Sequence, residues 1–300
     1  MKSMDQMLRM MERDDTKARQ TSESCEERDR EYVRQSEICM EEYELNDPDQ
    51  YELVTIEAED GVSLEGRLYR ADSGNGVVLA MHGYHSGGLR EMARFVPMYQ
   101  RLGLDFLIIS QRCHEGSGGT AITFGVREKG DCLSWCRFLA SRYEGLPILL
   151  HGLSMGASTV LLAAGDASLP TSVRGVIADS PYTSIYDQTE HLMRDRAKPI
   201  RKLALAYLKR GAKRRYGFSL DTAAPIRTVR SIRIPTLFVH GTADRLVPFA
   251  MGEALYEACR APHKKLLAVE GADHVRSYLR EPERYEACVS TFLEESGFFR

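Results

Sequence analysis

The sequence predicts an α/β fold: eight strands in a mostly parallel sheet with helices on both faces. Three observations predict it. Apolar runs too short for helices recur at residues 77–81, 106–109, 148–150, 176–178, 236–239 and 266–269, and each suits a strand buried on both faces. Amphipathic stretches of helical length, such as 128–143 and 155–164, lie between most of these runs, and such alternation marks a sheet of parallel strands joined by helical crossovers. Two further β-rich runs, 51–56 and 64–69, flank the turn Asp60-Gly61 and read as an antiparallel hairpin opening the sheet.

The 300 residues are enough for one large core with insertions, and 43% hydrophobic with 28% charged residues is an ordinary globular balance. A formal net charge of −3 supplies no field for nucleic acid, and no aromatic-plus-basic motif for stacking bases is present. The N-terminus turns charged within its first residues, and no segment reaches the roughly 18 apolar residues that spanning a membrane needs. The expected location is therefore the cytoplasm, without membrane insertion. Seven cysteines, an odd number without a C-x-x-C pair, should stay reduced there. Cys132 and Cys136 lie four apart on an expected helix, but no second ligand pair has suitable spacing, so they read as core residues rather than a metal site.

Residues 1–48 read as a charged helical arm, with Met4, Leu8 and Met11 at helical spacing and Asn46-Asp47-Pro48 as its stop signal. The arm could be a solvated helix of weak docking, pack on the body, shape a substrate entrance, or pair with a second copy in a homo-oligomer. Residues 49–300 form the body. Within it, the stretch 182–224 interrupts the strand–helix alternation and is expected to be a helical cap insertion. Between Arg194 and Arg215 it carries ten Lys or Arg against one acid, Asp195, with Ile200, Leu203, Tyr207 and Leu208 on one helix face. That pattern fits first a helix with a solvated basic face, and second a basic cap drawing anionic substrates or a membrane surface.

Gly152-Leu153-Ser154-Met155-Gly156 matches G-x-S-x-G, in which a serine occupies a tight strand-to-helix turn whose flanking glycines avoid collision where the chain doubles back. An apolar run precedes it and a small-residue helix follows, the setting the motif requires. A serine hydroxyl needs a base within hydrogen-bond reach, and that base an orienting acid. Asp244 and His274 each follow an expected strand end downstream of Ser154, so both open on the face that carries the serine. His274 competes with His240, His263 and His191. Asp244 competes with Asp179 and with Asp273, whose adjacency to the base ill suits it to the far ring nitrogen. An oxyanion would be held by the backbone N–H groups of Met155 and of Tyr84, in the loop 82–88.

These motifs resemble the α/β-hydrolase superfamily, and within it the bacterial serine aminopeptidase S33/BEM46-like group. The residues that carry the resemblance are His82-Gly83, the 152–156 elbow, the stretch 240–244 with Val247-Pro248, and Gly271-Ala272-Asp273-His274. The stretch 111–117 followed by Ile122-Thr123-Phe124-Gly125 is similar to the family's R-x-H-G-x-S-x-G and T-F-G, except that Glu115 stands where relatives carry glycine. The resemblance implies the α/β-hydrolase fold and acyl transfer to water by Ser154, His274 and Asp244. A carboxylic-ester substrate is expected first, an amide, peptide or thioester second, and a non-catalytic ligand-binding role third. No metal or organic cofactor is implied.

Overall fold

The computed structural model describes residues 8–14, 23 and 26–299, so Met4 and Cys25 lie outside the described residues. Eight strands form one sheet: β1 (Glu52–Glu57), β2 (Ser63–Tyr69), β3 (Gly76–Met81), β4 (Leu104–Ile109), β5 (Ile148–Leu153), β6 (Val173–Asp179), β7 (Thr236–Gly241) and β8 (Lys264–Val269). Their spatial order is β1-β2-β4-β3-β5-β6-β7-β8. The β1–β2 and β2–β4 pairs are antiparallel, and every later pair is parallel. The chain reverses its direction of travel across the sheet between β3, β4 and β5, and ligands of open α/β sheets bind outside the carboxyl ends of strands at such a point.

The two faces follow the strand period. Val77, Leu79 and Met81 pack with α2 (Glu128–Arg142) and α3 (Met155–Ala164), whereas Val78 and Ala80 pack on the other side with Phe95, Val96 and the terminal helix Pro282–Glu295. Cys132 and Cys136 are fully buried core residues, as expected. Every residue of α3 is buried, which its glycine and alanines permit because helix and sheet approach closely.

The arm carries a helix, as the sequence suggests. Its helix α1 (Glu27–Glu42) ends before Asn46-Asp47-Pro48, with Glu44 at φ 50° turning the chain out of helical geometry. Asp47 instead caps a short 3-10 turn over Pro48–Gln50. Tyr32 and Val33 of α1 bury against Val275 and Leu279. Residues 8–14 form one turn, closed by Met11 N–H donating to Leu8 O at 3.0 Å, and then run across the body, because their backbone finds partners there.

Between β6 and β7 lie the helices Ile185–Leu192 and Lys198–Gly211. The second rests on Ala204, Leu205 and Leu208, while Ile200 is 57% and Leu203 64% exposed. The four apolar residues expected on one face are thus divided: the contact strip is narrow, Leu208 falls inside it, and Ile200 and Leu203 face outward.

Candidate active site

Ser154 occupies the junction of β5 and α3 at φ 54°, ψ −112°, a left-handed conformation that costs a non-glycine residue roughly 1–3 kcal/mol. Two glycines make the turn possible. A Cβ on Gly152 would lie 2.4 Å from Gly156 C, and one on Gly156 would lie 2.1 Å from Met81 O. The Ser154 N–H donates to Asp179 O at 2.8 Å, fixing the serine against the end of β6.

Three side chains from three strand ends meet here. His274 Nε2 lies 2.8 Å from Ser154 Oγ, and His274 Nδ1 lies 2.7 Å from Asp244 Oδ2. The Asp244 side chain is fully buried, whereas that of His274 is 14% exposed. Asp244 Oδ1 accepts the N–H groups of Leu246 and Val247 at 2.9 and 2.8 Å. Burial opposes the charge on Asp244, but its hydrogen bonds and electrostatic interaction with His240 and His274 outweigh it and hold the carboxyl well below its usual range. With Nδ1–H donated to this carboxylate, Nε2 is left to accept the serine proton.

The rival residues serve other purposes. His240 is buried with Nε2 donating to Val247 O at 2.9 Å, and a Cβ on Gly252 would lie 2.3 Å from its Nδ1. Asp179 does not reach the imidazole. It accepts the Ser180 hydroxyl at 3.0 Å, and Ser180 Oγ accepts Val275 N–H at 3.3 Å, so it anchors the loop that carries His274. Its burial raises the carboxyl to about 6. Asp273 Oδ1 accepts the N–H groups of Arg245 and His274, tying the loop of Asp244 to that of His274. His263 packs at a tilt against Phe292, and His191 contacts Arg194.

The loop after β3 lies against the serine: a Cβ on Gly83 would be 3.4 Å from Ser154 Cβ. Gly83 N–H donates to Glu91 Oε2 at 2.6 Å and His85 N–H to His114 Nε2 at 3.1 Å, which fixes the Tyr84 peptide between them. Met155, the first residue of α3, has an N–H without an intrahelical acceptor. His82 Nε2 likewise accepts Gln111 N–H at 3.1 Å, while the Nδ1–H groups of His82 and His114 donate to Gly83 O and Arg112 O. Both imidazoles must therefore be neutral, and burial lowers them to about 4 and about 3.

His151, buried between the Tyr99 and Tyr285 hydroxyls, is also lowered to about 3 by burial. In the unfolded chain these imidazoles charge below about 6.5, whereas in the fold they stay neutral to much lower pH. The unfolded state thus binds the extra protons, and stability present above pH 6.5 is lost as pH falls from there toward 4 and 3. The expected slope is up to ~1.4 kcal/mol per pH unit per histidine. Denaturant unfolding between pH 7 and 5 measures it, and His151→Phe should reduce the slope by one proton.

Glu91, His114 and Glu115 belong to the site's framework but were not singled out as site residues by the sequence. Glu115 Oε2 accepts Gly88 N–H at 3.0 Å and Ser110 O–H at 3.1 Å, so the departure from glycine ties the loop after β4 to the loop after β3. Thr123 and Gly125 of the T-F-G stretch donate backbone N–H groups to Glu128 at 2.6 and 2.8 Å. Only Glu115 left a signal, as a charged residue in a glycine position; Glu91 looks like any helical acid.

Fold and site geometry together define a hydrolase of the α/β class. The alpha/beta hydrolase family profile matches residues 77–287, and the chain belongs to that family. YqkD of Bacillus subtilis, itself uncharacterised, is 31% identical over 229 residues, covering 74% of this chain and 72% of that protein. Human monoglyceride lipase is 26% identical over 227 residues, covering 64% of this chain and 72% of the lipase. Among solved structures, the Pyrococcus furiosus esterase Pf2001 shares the fold with a TM-score of 0.66 at 23% identity, over 82% of this chain and 92% of the esterase. Among the described residues, no helix is long and apolar enough to cross a membrane.

Proposed function

We propose that the chain is a serine hydrolase that cleaves carboxylic esters of small or medium acyl groups through an acyl-enzyme intermediate. The observation that carries this reading is the continuous hydrogen-bonded line from Ser154 Oγ through His274 to Asp244, at 2.8 and 2.7 Å. Ser154 Oγ bonds to the acyl carbon as His274 Nε2 takes its proton, while Asp244 steadies the imidazolium. The N–H groups of Tyr84 and Met155 hold the oxyanion. The C–O bond to the alcohol then breaks and His274 returns the proton to the departing oxygen. Water repeats the sequence on the acyl-serine, releasing the acid and restoring Ser154.

Within the family we place the chain nearest the S33/BEM46-like group, on the motifs 111–125 and 271–274. The stretch 182–224 acts as the cap and 1–48 as the arm. We place the enzyme in the cytoplasm, where the cysteines Cys39, Cys113, Cys132, Cys136, Cys259 and Cys288, unpaired among the described residues, would stay reduced. An ester is preferred over an amide because the human relative is by name a lipase. Matched p-nitrophenyl ester, thioester and p-nitroanilide substrates of one acyl group test the ranking. The ester should have the highest kcat/KM, and an anilide turned over as fast as its ester overturns it.

A further inference from the structure

We infer that residues 8–14 of the arm form the outer wall of the acyl subsite, and that Met11, backed by Leu8, sets the acyl length the site accepts. This rests on Ser154 being the acylating nucleophile. An acyl chain whose carbonyl sits between Ser154 Oγ and the N–H groups of Tyr84 and Met155 must leave past the side chains of those two residues. Met155 lies in an apolar cluster with Ile122, Tyr182 and Val247, against which Tyr84 and Phe124 pack. These come from the serine turn, the loops after β3 and β4, the insertion, and the loop of Asp244. Leu8 and Met11, 5% and 3% exposed, belong to the same cluster. They join it from outside the stretch 77–287 that the family profile matches.

The segment is fastened as a built part. Ile122 N–H donates to Met11 O at 2.7 Å, the Tyr84 hydroxyl donates to Met10 O, and His85 Nε2 lies 3.0 Å from Glu12 O. Arg13 Nη1 donates to Ser117 O at 3.2 Å. On the insertion side, the Tyr216 hydroxyl donates to Leu8 O at 3.3 Å and Arg215 pairs with Glu12 at 2.6 Å. Gly211 makes room for this: a Cβ there would come within 2.5 Å of Leu8 Cδ2. The bonds fix the backbone, while the unbranched thioether of Met11 remains the adaptable surface met by substrate.

A wall and a mere structural plug predict different results. Rates of covalent labelling by fluorophosphonates with alkyl chains from ethyl to dodecyl would be measured for the wild type, Met11→Ala and Met11→Trp. Short probes should label all three alike, which reports an intact fold and nucleophile. Met11→Ala should extend the longest accepted chain by roughly three carbons, matching the three heavy atoms removed, with gains on the order of tenfold per added carbon. Met11→Trp should shorten it, so either variant alone decides. Coincident length profiles, or profiles scaled by one common factor, overturn the wall while leaving the hydrolase standing. A wild type that no probe labels ends both.

Discussion

Asp244→Asn is expected to lower kcat by about 10⁴ with little change in KM, a loss of the size seen when a triad aspartate becomes an amide. The local bonds explain why the amide should settle in the harmful orientation. Asp244 Oδ1 accepts two backbone N–H groups, from Leu246 and Val247, so the asparagine oxygen must stay there. Its NH2 group then replaces Oδ2, 2.7 Å from His274 Nδ1. Two donors cannot face each other, so His274 must carry its proton on Nε2, where it can no longer accept from Ser154. Steady-state kinetics on a p-nitrophenyl ester measure the loss, and a fall of less than tenfold would contradict the assigned role.

Ser154→Ala should cost more, on the order of 10⁶ in kcat, and abolish fluorophosphonate labelling. Its stability should stay near that of the wild type, because alanine keeps the Cβ that makes φ 54° unfavourable. Ser154→Gly should be equally inactive yet more stable than Ser154→Ala by about 1 kcal/mol, since glycine adopts that backbone without penalty. Comparing the two inactive variants by denaturant unfolding reads the strain stored at the turn. Equal stabilities would mean that the rest of the fold imposes no strain there.

The strand–helix alternation was legible because buried strands are continuous apolar runs: six strands stand where those runs lie, and β1 and β2 stand at the two β-rich runs that flank Asp60-Gly61. The convergence of Ser154, Asp244 and His274 was legible for a related reason: each lies within a few residues of the carboxyl end of a strand, and parallel strands deliver those ends to one edge of the sheet. Local sequence could not show where the arm goes. Leu8 and Met11 are three apart and read as a helix face, which the single turn they form satisfies, but their burial depends on Ile122, Tyr182 and Leu208. Nor could it show that Glu91 and His114 hold the Tyr84 peptide: the first bond folds the segment after β3 back on itself, and the second joins it to the loop after β4. The division of the insertion helix failed for the opposite reason: its apolar arc is wider than the surface it rests on.

The fastening of residues 8–14 also bears on the order in which the molecule is made. Their partners lie 74 residues on at Tyr84, 104 at Ser117 and 208 at Tyr216, and contacts so distant in sequence form late. A chain growing on the ribosome holds Leu8 and Met11 long before the segment that covers them exists. Leu8 and Met11 are therefore among the last residues to find their places, and until Tyr216 emerges their apolar side chains stay uncovered.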